Sequence, residues 1–263
     1  MRSEPKFTEA VAHYCETMIE PSPSAWPLRK LLNQFDRYYA AYMLIWNYYG
    51  WVEEGAPSPT LARLKTVSGL SPRQLTSFVT VLRQAELVAA EPEAGNRRRS
   101  ILRPQAELIR EISRSCVAFL TAHDHVHAGT LAGIASASTD RLGRMIWGSA
   151  RQVLSSGTVI APYPTVLAMA GYDGGYPVLT AIMADHYRRI KGHGGVALGY
   201  AALAERFQVS RSHVGNVIGW LHKNGAIDED RAARPVLVDE FEQWSMSEMQ
   251  HYARLVTSLF PSG

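Results

Sequence analysis

One arrangement of apolar and polar positions occurs twice in the chain, at an offset of 139 residues. Residues 64–88, the first copy, align without a gap on residues 203–227, the second copy, with three identities in 25 positions. The apolar positions coincide at Leu70/Val209, Leu75/Val214, Phe78/Val217, Val79/Ile218, Leu82/Leu221, Leu87/Ala226 and Val88/Ile227. The pattern is kept although identity is near chance, so it predicts two structural units of about 120 residues each.

The residue pattern of each copy predicts two short helices joined by a tight turn. In the first copy, Leu61 and Leu64 are spaced for one face of a helix that ends near Gly69. Ser71 suits the N-cap of a second helix, a proline suits its first position, and Gln74 completes a capping box. The buried stripe of this second helix has the i, i+3, i+4, i+7 spacing and comprises Leu75, Phe78, Val79 and Leu82.

The outer face of this second helix is polar. Its residues are Arg73, Gln74, Thr76, Ser77, Thr80 and Arg83. Two short helices with such a face on the second form the helix-turn-helix arrangement. The second copy has Arg211, Ser212, His213 and Asn216 on the matching face, although Gly215, Gly219 and Trp220 make that face less typical.

A β-hairpin is predicted after each pair of helices. In the first copy, Leu87–Val88 and Ile101–Leu102 flank a Gly95–Asn96 turn, and the hairpin tip carries Arg97, Arg98 and Arg99. In the second copy, Ala226–Ile227 and Val236–Val238 flank a charged segment that includes Arg231 and Arg234, and this hairpin is about four residues shorter. A helix-turn-helix followed by a hairpin predicts a winged helix, with the hairpin as its wing.

Further helices are predicted on both sides of each copy. Residues 39–48 match residues 178–187 as lead-in helices, and residues 106–120 and 241–259 form closing helices. Ser245 and Glu248 are expected to cap the last of these. The predicted fold is mainly α with small β-hairpin wings, an α+β class, as tandem winged-helix domains in a pseudo-dimer. The predicted domains are residues 1–127 and, with the connecting segment, residues 128–263.

Composition favours a globular protein in the cytoplasm. Of the 263 residues, 46% are apolar and 19% are charged, which is enough to bury a core. No apolar run approaches the ~20 residues that span a bilayer, and the first residues do not lead into a signal peptide, so we expect no membrane partner. Cys15 and Cys116 are expected to be buried and reduced.

Positive charge is concentrated in the two copies. The formal net charge is +3, but residues 60–110 contain nine Lys and Arg against four Asp and Glu, and residues 191–238 contain six against four. A basic excess of this kind favours an anionic partner, and nucleic acid is the common one. The excess is larger in the first copy than in the second.

Both copies resemble the MarR-type winged helix and, more broadly, winged-helix regulators such as GntR. The likeness covers residues 38–113 and 177–244, and it rests on the leucine that starts the first helix, the Gly-Leu-Ser or Gln-Val-Ser turn, and the leucine and apolar residue that end the second helix. The resemblance implies a bacterial, sequence-specific regulator of transcription that binds double-stranded DNA. MarR-type proteins are usually homodimers with one winged helix per chain, whereas this chain has two, so it is expected to act as a monomeric pseudo-dimer or as a homodimer.

By this resemblance the second helix of each copy lies in the DNA major groove and each wing contacts phosphate or the minor groove. The DNA-binding residues it implies are Ser71, Arg73, Gln74, Thr76, Ser77, Thr80, Arg97, Arg98 and Arg99 in the first copy, and Arg211, Ser212, His213, Asn216, Lys223, Arg231 and Arg234 in the second. Two alternatives remain open. A tandem winged-helix protein of the partition or replication-initiation type would bind a protein partner, or one half would bind DNA and the other a partner or a weaker half-site.

Aromatic residues are dense in the first lead-in helix and have two interpretations. They form a packing surface between the two halves, or they line a pocket for a small aromatic effector, which MarR-type regulators often bind. The pocket would involve Trp26, Tyr42, Trp46 and Tyr49. No enzyme motif is recognised, and no cofactor or metal is expected, since alternation spreads the three histidines at 123, 125 and 127 over different faces of a helix.

Overall fold

A computed structural model describes residues 5–20, 28–93 and 95–261, with the backbone alone at residues 5, 28, 29 and 96–98. The fold is mainly helical and includes one small antiparallel sheet of two strands. In chain order the elements are α1 (Pro5–Ile19), α2 (Leu28–Leu31), α3 (Phe35–Glu54), α4 (Leu61–Lys65), α5 (Pro72–Gln84), β1 (Val88–Glu93), β2 (Asn96–Pro104), α6 (Ala106–His127), α7 (Leu131–Ser136), α8 (Thr139–Ser156), α9 (Pro164–Gly171), α10 (Gly175–Ile190), α11 (Tyr200–Phe207), α12 (Arg211–Lys223) and α13 (Pro235–Leu259). Within these described ranges, no helix is both long enough and apolar enough to cross a membrane.

Contacts divide the chain into two units that interleave along the sequence. Unit 1 comprises residues 1–23, 118–132 and 159–254, and unit 2 comprises residues 24–117, 133–158 and 255–263. The domain boundary predicted after residue 127 falls inside a stretch of unit 1. The first copy belongs to unit 2 and the second copy to unit 1.

Unit 2 is organised by the packing of α8 on α3, the helix that leads into the first copy. The ring of Tyr49 in α3 occupies the place where residue 143 of α8 would carry a Cβ, which is why that residue is a glycine. Two arginines of α8 reach acidic residues at the end of α3, with Arg144 3.3 Å from Glu53 and Arg151 2.8 Å from Glu54.

Unit 1 is organised in the same way by the packing of α1 on α10, the helix that leads into the second copy. Glu16 of α1 accepts two hydrogen bonds from the Arg188 guanidinium, at 2.8 and 3.1 Å. This pair lowers the pKa of the Glu16 carboxyl. Nearby, the ring of Tyr14 stacks on Phe119 at 4.1 Å between centroids and meets Trp244 of α13 edge to face.

Each unit therefore contains a helix from the other half of the sequence. The first helix of the chain, α1, precedes the first copy but packs on the lead-in helix of the second. Conversely, α8 precedes the second copy but packs on the lead-in helix of the first. Apolar periodicity could not predict this exchange, because it identifies the buried face of a helix but not the helix that covers it.

The repeat is present in the backbone as well as in the sequence. Helices α5 and α12 have 13 residues each, begin 139 positions apart, and are both capped by a serine. The backbone is left-handed at two matched turn positions, Gly69/Gln208 and Glu86/Gly225. In each matched pair one copy has glycine and the other has a residue with a Cβ.

The two non-glycine residues at these turns are expected to cost stability. A left-handed residue with a Cβ is less stable than glycine by about 1–2 kcal/mol, and part of this is offset by the larger chain entropy of unfolded glycine. Gln208→Gly and Glu86→Gly should therefore each raise the free energy of unfolding by about 0.5–1 kcal/mol. Denaturant unfolding of the purified variants measures this, and Gln152→Gly, at an exposed position inside α8, should instead destabilise by about 1 kcal/mol.

The first hairpin is regular, and its strands β1 and β2 pair from Val88↔Pro104 to Pro92↔Ser100, with an irregularity after Pro92. A third backbone segment joins it, because the Leu102 amide donates to the Pro59 carbonyl at 2.8 Å. The hairpin thereby lies beside the start of α4. The predicted hairpin of the first copy is confirmed as a two-stranded sheet.

The prediction of a two-stranded hairpin in the second copy is wrong. It is reduced to one bridge, Ile227↔Ala233, and the residues expected to form its return strand begin α13 at Pro235. Equivalent hydrogen bonds close the two segments, Gln105 N to Leu87 O and Arg234 N to Ala226 O, both at 2.9 Å. Seventeen residues lie between the first pair and seven between the second, so the segment is ten residues shorter rather than four.

The last helix also begins earlier than predicted. Because α13 starts at Pro235, Ser245 and Glu248 lie inside it, and Ser245 is buried. The predicted capping box at these two residues is wrong. Proline fits the first turn of a helix because that turn needs no amide donor, and this favours the earlier start.

Candidate nucleic-acid interface

Local capping and packing fix the position of α5. The Gln74 amide donates to Ser71 Oγ at 3.3 Å, and the Ser71 amide donates to Gln74 Oε1 at 3.2 Å, so the capping box is confirmed. Leu75, Phe78, Val79 and Leu82 are buried, as their spacing predicts. The opposite face of the helix is exposed to solvent.

The exposed side chains of α5 differ in how free they are to bind a partner. The side chains of Arg73 and Ser77 form no hydrogen bond or ion pair with any described residue. The hydroxyls of Thr76 and Thr80 donate to carbonyls one turn earlier, at 2.7 and 2.8 Å, which leaves their lone pairs facing outward as acceptors. Gln74 has its carbonyl engaged in the cap and keeps only amide donors.

A basic groove of about 710 Å³ runs between α4, α5 and β2. Arg63, Arg83 and Arg99 line it, together with the hydroxyls of Thr76 and Thr80. The sequence pattern did not identify Arg63, although its place on the short helix before α5, within the basic residues 60–110, was a usable signal. Three arginines line this groove, and arginine binds phosphate oxygens with paired N–H donors, so the groove is a candidate site for anions.

Arg63 is the most firmly held of the three. Its Nη1 donates to the Pro57 carbonyl at 2.8 Å, and its guanidinium lies 5.5 Å from the ring centre of Trp46. Arg99 is 66% exposed and only 3.9 Å from Glu93, a weak pairing that leaves it available. Arg97 and Arg98 lie in β2, but their side chains are outside the described part of the structure.

The second copy is capped in a parallel way. Ser210 Oγ accepts from the His213 amide at 3.1 Å, and the His213 Nδ1 lies 2.6 Å from the same oxygen. His213 occupies the position that corresponds to Gln74, and its Nε2 is 4.0 Å from the Asp173 carboxylate. The predicted base-reading histidine is therefore engaged in its own helix cap.

Other predicted residues of the second copy are open to solvent. The exposed face of α12 carries four side chains that form no hydrogen bond or ion pair with a described residue, those of Arg211, Ser212, Asn216 and Lys223. Arg234 is also exposed, just before α13. The described structure brings these side chains to one helix and its flank, without a paired wing beside them.

Arg231 is held within its own unit. Its backbone is left-handed, its Nη1 donates to the Leu198 carbonyl at 2.7 Å, and its guanidinium lies 4.6 Å from the ring centre of Tyr200. Leu198 is 139 residues after Pro59, whose carbonyl accepts from a strand amide in the first copy. The arginine side chain thus satisfies, in the second copy, the carbonyl that β2 satisfies in the first.

The aromatic residues predicted to line an effector pocket have close protein neighbours. Tyr49 is buried against Gly143, and this burial raises its pKa to about 12. Tyr42 is buried with its ring 6.3 Å from that of Tyr38, and Trp46 lies beneath Arg63. Trp26 lies outside the described residues. The effector pocket stays a prediction.

The three histidines near the end of α6 do not converge on one point. His125 lies 3.3 Å from Glu9 of α1, whereas the rings of His123 and His127 face each other with centroids 4.5 Å apart. Burial, and the neighbouring His127, lower the pKa of His123. Across the described ranges, no group of three His, Cys, Asp or Glu side chains is placed to hold a metal ion.

No protein-family model, curated protein or solved structure matches the chain. The likeness to MarR-type and GntR-like regulators therefore rests on the motifs of the two copies. It stays a prediction, and the geometry of the candidate interface has to support any function by itself.

Proposed function

We propose that the protein is a sequence-specific regulator of transcription that binds double-stranded DNA through winged-helix domains. The observation that carries the proposal is the exposed polar face of α5 beside the arginine-lined groove. This arrangement pairs hydrogen-bonding side chains on a helix with positive charge in the groove beside it.

Dimensions and chemistry both favour duplex DNA as the partner. An α-helix with its side chains is about 10–12 Å across, and the major groove is about 12 Å wide. Arg73 can form two hydrogen bonds with guanine, and the outward lone pairs of Thr76 and Thr80 can accept from cytosine or adenine amines. Arg63 and Arg99 lie where phosphates would flank the helix, so they would contribute affinity rather than sequence preference.

The proposal includes a tandem winged-helix arrangement of the MarR-like kind. The matched caps, the matched left-handed turns and the helix exchange between halves support descent from a unit that once paired with a second copy of itself. A chain of this kind would act as a pseudo-dimer. Response to a small aromatic effector is a further part of the prediction that the MarR-like resemblance implies.

Fluorescence anisotropy of the purified chain with mixed-sequence duplex DNA, titrated at several salt concentrations, tests the proposal. The logarithm of the affinity should fall linearly with the logarithm of salt concentration, by about 0.9 per neutralised phosphate. Absence of binding at low salt would contradict DNA binding and favour the alternative, a tandem winged-helix module for a protein partner. A pull-down would then be the next experiment.

Arg73→Ala should weaken binding to the preferred sequence by about 1–3 kcal/mol, roughly 5- to 150-fold, and relax preference at one base pair. The reason is that Arg73 is the exposed, unpaired arginine of the first turn of α5. Arg110→Ala, which removes the same charge from the exposed side of α6, is the control and should change affinity by less than about threefold. If both variants lost the same amount of DNA affinity, Arg73 would contribute only through its net charge.

A further inference from the structure

The two copies can be compared position by position because their second helices share one offset without gaps. Five outward positions of α5 correspond to five of α12. The matched pairs are Arg73/Ser212, Thr76/Gly215, Ser77/Asn216, Thr80/Gly219 and Arg83/His222. In the first copy all five side chains can form hydrogen bonds, and two are arginines.

Two of the matched positions in α12 have no side chain. Gly215 and Gly219 lie one turn apart, and nothing lies within 4 Å of where their Cβ atoms would be. A helix seated in the major groove reads base edges only through its side chains. The middle of α12 therefore has little with which to read sequence, whereas Thr76 and Thr80 present acceptors at the same places in α5.

The segments beside the second helix also favour DNA binding by the first copy over the second. The first has a paired hairpin, an exposed Arg99 and the arginine-lined groove. The second has a single bridge, and Arg231 is engaged with Leu198 and Tyr200. Three acidic residues, Asp228, Glu229 and Asp230, directly precede that arginine and would repel phosphate.

From these differences we infer that the first copy alone reads DNA, and that the second copy makes no base contact. This inference rests on the proposed function and specifies its target. The preferred site is one asymmetric sequence read by α5 and its wing, not an inverted repeat with two half-sites.

Two charge-matched double variants test the inference. Arg73→Ala with Arg83→Ala removes two exposed positive charges from α5, and Arg211→Ala with Lys223→Ala removes two from α12. Affinity for a sequence selected from a random duplex pool is measured by anisotropy at several salt concentrations. The α5 pair should lose at least about 100-fold and flatten the salt dependence, while the α12 pair should stay within about threefold.

The possible outcomes separate the two proposals. If the unmodified chain does not bind duplex DNA, the proposed function itself is wrong. If it binds and the two pairs lose affinity equally, only the inference of a single reading copy is overturned. Sequence selection, with the number of chains per duplex measured, is a second readout that needs no variant. Recovery of an inverted repeat bound by a single chain would also overturn the inference, and recovery of one asymmetric motif supports it.

Discussion

Tyr49→Ala is expected to lower the free energy of unfolding of the protein by about 3–5 kcal/mol, the usual cost of truncating a buried aromatic ring. Tyr49 is 5% exposed and sits directly against the backbone of α8 at Gly143. Loss of the ring leaves a cavity at the main helix contact of unit 2. Tyr48→Ala, which truncates the half-buried neighbour, is the comparison and should cost less than half as much. Thermal and denaturant unfolding provide the measurement.

Gly143→Ala tests whether this effect comes from the contact between Tyr49 and Gly143. Its effect on stability should have opposite signs in the unmodified chain and in the Tyr49→Ala background. In the unmodified chain the new methyl meets the Tyr49 ring, and overpacking should destabilise by about 1–3 kcal/mol. In the Tyr49→Ala background the same methyl enters vacated space, and the helix preference of alanine should stabilise by about 1 kcal/mol. Destabilisation in both backgrounds would show that Tyr49 and Gly143 are not coupled as the structure places them.

Glu248→Gln is expected to stabilise the protein at pH 8 by up to about 3 kcal/mol and to have little effect at pH 4. Burial raises the pKa of the Glu248 carboxyl to about 7, opposed by the hydrogen bond that Trp244 Nε1 donates at 3.0 Å. The surrounding rings include Tyr14 and Tyr176, which offer the carboxylate no positive charge. Glutamine keeps the acceptor for Trp244 and removes the charge.

The direction of this pH dependence follows from proton binding. The folded state holds the Glu248 proton more tightly than the unfolded state, whose carboxyl has a pKa of about 4.5, so this contribution to stability is lost as pH rises from 4.5 through 7. His251 acts in the opposite sense, because burial lowers its pKa to about 4 and stability is lost as pH falls below 6.5. Because both proteins contain His251, its contribution cancels when the stability of Glu248→Gln is compared with that of the original chain at each pH.

Glu16→Gln provides a control of opposite sign. The pKa of Glu16 is lowered by its hydrogen bonds to Arg188, so this carboxylate stabilises the fold at neutral pH and the contribution is lost in acid. The variant should therefore be less stable than the original chain at pH 7 and approach it at low pH. Melting curves of the three proteins between pH 3 and 8 measure both effects, because the Glu16 contribution is lost only below about pH 4.5. A Glu248→Gln difference that does not change with pH would contradict the assignment.

Local sequence determined the parts of the fold that depend on neighbouring residues. The spacing of Leu75, Phe78, Val79 and Leu82 specified the buried face of α5, and Ser71 with Gln74 specified its start. Both signals act within one or two helical turns, where side-chain direction and amide satisfaction are decided by the chain itself. The same reasoning predicted α12 and its serine cap.

Long-range structure decided the features that sequence reasoning missed or mispredicted. The segment around Val236 has the apolar character of a strand, but the seven residues before Arg234 form only one bridge, and Pro235 instead starts a long helix. Arg63 gained its place in the groove from the approach of β2 to α4, a contact between residues about forty positions apart. Glu248 is buried beside Tyr14 of α1 and Tyr176 of α10, neighbours that no local pattern reveals.

The sequence alone therefore determined the repeat, the paired short helices and their polar faces, because helix periodicity and capping are local. Only the tertiary structure decided which helices pack together. It packs α1 on α10, in the other half of the sequence, and α8 on α3. The tertiary structure also decided which arginine side chains are available to a partner. Arg231 is held by the Leu198 carbonyl and the Tyr200 ring, whereas the side chain of Arg73 is not held in this way. Contacts between distant segments depend on the shape of the whole core, and that shape forms only when the elements pack.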